Sequence, residues 1–372
     1  MTDRLRFAPI PAALPATVPF TGPETLERRL GAPFAARLGA NENGFGPSPR
    51  AIAAMNLANA EIWKYGDPDN HDLRHALAAH HGVAPENIMI GEGIDGLLGL
   101  LVRLTVAPGD RVVTSYGGYP TFNYHVAGFG GELSTVPYLD DAEDPDALID
   151  RAREIGARLI YFANPDNPMA SWHPGSRVEA MIAAVPDGCL MILDEAYAEF
   201  APDEAIAQVD ANDERVIRFR TFSKAYGMAG ARVGYAIGAA RLIAGFDRIR
   251  NHFGMNRSAQ IGALAALLDQ DWLRETVAKV RGAREQLGAI AQSNGLVALP
   301  SATNFVAIDC GRDGAYARRV LAELEKQGIF ARMPGVAPMD RCIRVSCAPR
   351  AELDLFAAAL PKALKAAIIP AE

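Results

Sequence analysis

The chain runs to 372 residues, 49% of them hydrophobic and 22% charged, with 37 basic against 44 acidic side chains and a formal net charge of −7. That length is enough for a large core and two domains, and the acidic excess, with no Lys/Arg run, argues against a nucleic-acid or anionic-membrane surface. Cys189, Cys310, Cys342 and Cys347 are scattered without a C-x-x-C pair. They read as small core residues in a reducing compartment, neither a disulfide framework nor a zinc site.

Residues 1 to about 24 contain Pro9, Pro11, Pro15 and Pro19 and little periodicity. An extended arm packed on another surface, such as a partner subunit, is expected there rather than a helix or a signal peptide. No apolar run approaches the ~18 residues of a membrane span, so a cytoplasmic protein is expected. From about 46 to 268, apolar runs alternate with helical patterns. Strands are predicted at Asn87–Gly91, Arg111–Ser115, Glu132–Val136, Arg158–Phe162, Cys189–Leu193, Val216–Arg220 and Val233–Ile237. Helices are predicted at His71–His81, Leu97–Thr105, Pro145–Ile155 and Arg177–Val185. This alternation predicts an α/β fold with a mainly parallel sheet of seven strands, covered on both faces. A long amphipathic helix from Asp271 to about Ser293 opens a different pattern, with strands at Phe305–Asp309 and Cys342–Ser346 and helices over 313–328 and 350–365. The expected division is an N-terminal arm contributing to a small domain (1–45), a large domain (46–268) and a small C-terminal domain (269–372).

The densest chemical signal is Thr221-Phe222-Ser223-Lys224-Ala225-Tyr226-Gly227-Met228-Ala229-Gly230-Ala231-Arg232. A lysine in such a setting can hold an aldehyde cofactor as a Schiff base. The hydroxyls of Thr221 and Ser223 and the guanidinium of Arg232 are groups that suit a phosphate monoester. A Gly/Ala-rich turn with a solvated lysine is the plain alternative. Asp194, in Asp194-Glu195-Ala196-Tyr197, follows an apolar strand, where open α/β sheets bind ligands. A carboxylate there can pair with a protonated ring nitrogen. A loop carboxylate or a hydrolase's acidic pair is the alternative, weakened by the lack of a G-x-x-x-x-G-K loop. Asn167, in Asn164-Pro165-Asp166-Asn167-Pro168, sits on a proline-locked turn after another buried strand. Gly91-Glu92-Gly93-Ile94-Asp95-Gly96 joins a strand to a helix start, whose free N–H groups suit an anion. Tyr116 follows a strand and is placed to stack on a planar ring. Tyr65 precedes the helix at His71–His81, and Arg344 on an alternating strand offers a fork for a carboxylate. The seven histidines show no metal-ligand pattern.

From about residue 35 onward the chain resembles the histidinol-phosphate aminotransferase branch of the fold-type I, pyridoxal-phosphate (PLP) enzymes. The lysine stretch, Ala40-Asn41-Glu42-Asn43-Gly44-Phe45-Gly46-Pro47-Ser48-Pro49 and the order of the other motifs carry the resemblance. It implies that Lys224 is the Schiff-base lysine, Asp194 the partner of the pyridine nitrogen, Asn167 and Tyr197 the contacts of the cofactor's phenolic oxygen, and Tyr116 the stacking ring. Ile94, Asp95, Ser223 and Arg232 would form the phosphate cup. Tyr65 would reach the phosphate of the other subunit, implying a homodimer with shared sites. Arg344 and Arg332 would bind substrate anions, with Asn41 beside them. The implied activity is amino transfer between an amino acid, with glutamate as donor, and a keto or aldehyde acceptor. A PLP lyase or decarboxylase, such as a threonine-phosphate decarboxylase, is the rival on the same scaffold. A regulatory relative lacks room for a DNA-binding module, and a dinucleotide binder has the wrong glycine spacing. The chain departs from the family pattern at Asp166-Asn167-Pro168-Met169-Ala170, at Ile94 and at Gly44. Arg257, which the resemblance turns toward the neighbouring site, departs as well and bears on acidic substrates.

Overall fold

A computed structural model describes residues 6–16 and 20–368. Its strands are β1 (Ala36–Arg37), β2 (Ile88–Gly91), β3 (Arg111–Ser115), β4 (Glu132–Val136), β5 (Leu159–Ala163), β6 (Leu190–Asp194), β7 (Val216–Thr221), β8 (Gly234–Ile237), β9 (Val297–Ala298), β10 (Phe305–Asp309), β11 (Ile329–Phe330) and β12 (Cys342–Ser346). Seven of them form one sheet in the order β2-β8-β7-β6-β5-β3-β4. The run from β3 to β7 is parallel, and β8 lies antiparallel between β2 and β7. The reversal has a local cause. Between β7 and β8 the chain forms no more than a 3₁₀ turn at Ala229–Ala231, so it returns beside β7 instead of crossing over through a helix.

β5 is buried at every residue, as a strand covered on both faces must be, whereas edge strand β4 exposes most of its length. Local chemistry sets the helix limits. The helix Pro145–Ile155 starts where the Asp144 side chain accepts from the main-chain N–H groups of Asp146 and Ala147, and it stops at Gly156 with φ +62°. Helices not anticipated from the sequence run over Pro49–Asn59, Pro120–Gly128 and Arg257–Leu268.

Two further sheets are built from the chain's ends: the antiparallel β12-β10-β9, and the parallel pair β1-β11, in which Ala36 lies beside Ile329. The helices Gly314–Lys326 and Arg350–Ala367 pack on them, and one continuous core runs from Ala36 through Phe305 to Leu360.

The N-terminal expectation needs correction. Residues 1–5 and 17–19 lie outside the described part, but Pro9–Ala13 and Pro23–Leu30 are helical. Proline stands at the first turn of each, where its fixed φ and missing N–H favour a helix start instead of blocking one. Ile10 lies against Gly130, at a spot where a Cβ on that glycine would sit 2.7 Å away. The four cysteines are buried and unpaired, and no described helix is long and apolar enough to cross a membrane.

Candidate active site

The C-terminal ends of β5, β6 and β7 converge on a cavity of about 1250 Å³. It lies where the crevice of an open parallel sheet is expected. All the sequence-predicted site residues except Tyr65 line it.

Lys224 stands on the turn after β7. Asn43 clamps that turn by donating from its side-chain amide to the carbonyls of Lys224 and Ala225, at 3.1 Å each. Gly227, at φ +69°, passes so close to Gly46 that a Cβ would lie 2.5 Å from its carbonyl, so the turn admits only glycine there. Lys224 Nζ donates to the Asn41 carbonyl at 3.2 Å and lies 5.7 Å from the Tyr197 ring centre. Burial, with the nearby charge of Arg344, pulls its pKa down to about 8, against the opposing pull of Asp95. A substantial neutral fraction near physiological pH is what an amine needs to attack a carbonyl.

Asp194 ends β6 and is 5% exposed. Tyr161 donates to its Oδ2 at 2.5 Å and the Ala196 N–H to its Oδ1 at 2.9 Å. Burial nevertheless pushes its pKa up to about 6. Glu195 is engaged elsewhere, by Arg218 and Arg220 at 2.9–3.0 Å. Against burial, those two arginines hold its pKa down to about 2. Alternation along the chain thus separates Asp194 from Glu195, and the acidic-pair reading of a hydrolase does not apply.

Arg232 and Gly93 make the anion corner. Arg232, with φ +56°, donates to Ser223 Oγ at 3.3 Å and to the Ala229 carbonyl at 2.9 Å. It lies 3.8 Å from the Asp95 carboxylate. A Cβ on Gly93 would sit 2.4 Å from the guanidinium, so that glycine is what lets the arginine approach the start of the helix Gly93–Thr105.

On the opposite wall, Arg344 in β12 and Arg332 pair through their main chains, with N–H···O distances of 2.6 and 3.2 Å, which sets both guanidinium groups on one side of the cavity. Arg344 donates to Asn167 Oδ1 and stands 5.2 Å from the Phe305 ring centre. Its Nε is buried without a partner. Burial pulls its pKa down to about 10. Arg332 donates to the Thr21 carbonyl at 3.0 Å. Asn41 donates to the Tyr197 hydroxyl at 3.0 Å, linking the N-terminal motif to the end of β6.

Residues 36–360 match the family described as aminotransferase class I and II. The chain belongs to that family. It is 37% identical over 337 residues to histidinol-phosphate aminotransferase 1 of Mesorhizobium japonicum, covering 88% of this chain and 90% of that one. To the histidinol-phosphate aminotransferase of Moorella thermoacetica it is 32% identical over 345 residues, covering 92% and 88%. It superposes with a TM-score of 0.94 on the crystal structure of the histidinol-phosphate aminotransferase from Sinorhizobium meliloti in complex with pyridoxal-5′-phosphate, at 54% identity, covering 98% of this chain and 99% of that one.

In this aminotransferase Tyr65 lies outside the cavity. It is 77% exposed and its ring packs on Phe253 with centroids 4.8 Å apart. Arg257 also lies outside, paired with Glu61 at 3.3 Å. Tyr116 lines the cavity but is 51% exposed. Two tyrosines not singled out from the sequence sit deeper. Tyr161, inside β5, holds Asp194, and Tyr119 donates to Asp95 at 2.8 Å. The signal for Tyr119 is Pro120, which opens the helix Pro120–Gly128 and leaves Tyr119 as its N-cap residue, turned toward the strand ends.

Proposed function

We propose that this aminotransferase carries pyridoxal 5′-phosphate on Lys224 and transfers an amino group reversibly from histidinol phosphate to 2-oxoglutarate, giving the corresponding keto phosphate and glutamate. The residues present fit the cofactor. The Arg232–Ser223 corner, with the N–H groups at Ile94 and Asp95, suits its phosphate. Asp194, held by Tyr161 and Ala196, suits its ring nitrogen. Lys224 Nζ has only a main-chain carbonyl as hydrogen-bond partner among the described residues, so it is free to react. Asn167 and Tyr197, which line the same cavity, suit the phenolic oxygen. Of the two aromatic candidates for the ring face, Tyr119 is the better suited, because Tyr116 lies half in solvent.

Bound PLP supplies an electrophilic carbon and an electron sink. The protein's share is orientation and proton control. Asp194 keeps a proton on the ring nitrogen by offering a carboxylate in a buried setting, where an ion pair is strong. Lys224 Nζ is the only lysine amine among the described residues that line the cavity, and with a pKa of about 8 it can take a proton from the substrate carbon and return it. Tyr197, tied to Asn41, and Asn167, tied to Arg344, couple the cofactor side of the cavity to the substrate side.

The observation that carries the substrate assignment is the arginine wall. Two guanidinium groups, one with a buried unpartnered Nε, face the same cavity as Lys224. Such a pair suits the phosphate of one substrate and the carboxylate of the other. Histidinol phosphate has no carboxyl group to lose, so decarboxylation is closed to it. The test is glutamate formation from L-histidinol phosphate and 2-oxoglutarate by the purified holoenzyme. Release of carbon dioxide from phosphothreonine without glutamate formation would overturn the reading in favour of a decarboxylase. Arg344→Ala is expected to lower kcat/KM for histidinol phosphate by roughly 100-fold, mainly through KM. Arg344→Lys should recover little of that loss, since an ammonium cannot reproduce the planar fork. An unchanged KM in both variants would remove Arg344 from substrate binding.

A homodimer with shared sites belongs to the same proposal. Leu57, Trp63, Tyr65 and Phe253 are each more than half exposed, a surface richer in large apolar side chains than a lone protomer favours. Tyr65 and Arg257 would enter the neighbouring subunit's site from this face, the arginine beside acidic groups of its substrate. Trp63→Glu is expected to shift the protein toward monomers in sedimentation and to reduce activity with it. A variant that stays dimeric would place the interface elsewhere.

A further inference from the structure

Behind the turn that carries Asn167, two carboxyl groups are buried side by side. Glu143, between β4 and the helix Pro145–Ile155, and Asp166, after β5, are each 2% exposed. Glu143 bridges the ends of two strands: Ser115 Oγ donates to its Oε2 at 2.8 Å and the Ala163 N–H to its Oε1 at 3.2 Å. His173 Nε2 donates to its main-chain carbonyl at 2.8 Å. Asp166 gathers the turn. Tyr138 donates to its Oδ1 at 2.8 Å, the Met169 N–H to its Oδ2 at 3.0 Å, and the Asn167 N–H also bonds its carboxyl.

The two carboxyls are also in hydrogen-bond contact with each other, and neither has an ion-pair partner among the described residues. Two carboxylates in contact away from water cannot both be ionised, so a proton must lie between them. Burial pushes both groups upward. Glu143 goes well above the usual carboxyl range, whereas Asp166, which gathers three donors, is held to about 6. The turn they secure ends at Ala170, whose φ of +66° is disfavoured for a residue with a Cβ. Asn167, on that turn, in turn accepts from Arg344.

We propose that Glu143 and Asp166 share one proton, held on Glu143, and that this bonded pair fixes the turn which aims Asn167 and Arg344 into the active site. Glu143 is then a positioning residue. It touches neither substrate nor cofactor, and it acts through Asp166 on the two side chains that do. Without the shared proton the two charges repel, the turn opens, and both Asn167 and its arginine lose their anchor.

The consequence for catalysis rests on the cofactor and substrate reading above, but the proton itself does not. Glu143→Gln keeps a neutral donor toward Asp166 and one acceptor oxygen for the Ala163 N–H, with the Ser115 hydroxyl turning to accept from the amide, and Glu143→Ala removes all of these contacts. The infrared spectrum of the cofactor-free protein at neutral pH is expected to show a protonated carboxylic acid C=O band that disappears in Glu143→Gln. In the holoenzyme, Glu143→Gln should keep PLP affinity and KM within about twofold of the original, because each partner of Glu143 still has a hydrogen bond once the Ser115 hydroxyl reverses. Glu143→Ala should weaken both by on the order of tenfold, with kcat changed less. The proposal is overturned if wild type and Glu143→Gln have identical carboxyl bands, or if Glu143→Gln is as impaired as Glu143→Ala. Should Glu143→Ala fail to fold, the band and the glutamine variant still decide.

Discussion

Lys224→Ala is expected to reduce amino transfer by roughly 10³-fold or more, since it removes both the attachment point and the group that moves the substrate proton. The fold should survive. Lys224 makes one side-chain hydrogen bond, to the Asn41 carbonyl, and its turn is held by Asn43 and Gly227 through main-chain contacts that alanine leaves in place. Removing an amine whose charged form is disfavoured by burial should not lower the melting temperature. The variant should retain phosphate-side contacts through Arg232 and Ser223, so it should still bind PLP, without the covalent bond. Circular dichroism, cofactor retention after borohydride treatment and single-turnover kinetics check each part. Wild-type rates in the variant would contradict the assignment of the lysine.

Asp194→Asn separates stability from activity. Turnover should fall by on the order of 10²-fold or more, because an amide cannot balance a protonated ring nitrogen. The cofactor-free protein should instead become more stable at neutral pH. Burial raises the Asp194 pKa from 3.8 to about 6. Between those values the folded state binds more protons than the unfolded one. Its stabilising contribution is therefore complete below about pH 4 and is lost as the pH rises through about 6. A shift of that size corresponds to about 3 kcal/mol at neutral pH, as an order of magnitude. Thermal melts of the two cofactor-free proteins should nearly coincide at pH 4 and diverge by pH 7.5, the asparagine variant being the higher. A variant that is both active and less stable would contradict both halves of the argument.

The large sheet was legible because its signals are local. β3 and β4 coincide with their expected limits, and β5 and β6 are offset by one residue, since an apolar run bounded by polar residues marks a buried strand without reference to its neighbours. The antiparallel course of β8 was not legible, since the length and shape of the lysine turn decide it. Prolines misled at the N-terminus. Pro9 and Pro23 start helices there, and the same residue type reads as a breaker when its position in the first turn is unknown.

The site divides along similar lines. Lys224, Asn167 and Arg232 announce themselves because each follows a strand on a turn with restricted composition, and Asp194 because it ends an apolar strand. Tyr119 and Tyr161 do not, since an aromatic residue inside an apolar stretch looks like core until its hydroxyl is seen to reach a carboxylate. Glu143 carries no motif at all. Its role depends on Ser115, Ala163 and Asp166, which are brought together only when β3 and β5 pair. Tyr65 and Arg257 do not line the cavity of their own chain, and their roles belong to the proposed homodimer.

The most direct test of the central claim is the visible spectrum of the purified protein, loaded with PLP, before and after L-histidinol phosphate is added without any keto acid. A yellow band that is lost on addition, and returns with 2-oxoglutarate, is the predicted result, and it would report both the cofactor on Lys224 and its cycling between the two substrates. A protein that takes up no PLP, or one whose yellow band ignores both histidinol phosphate and glutamate, would contradict the account.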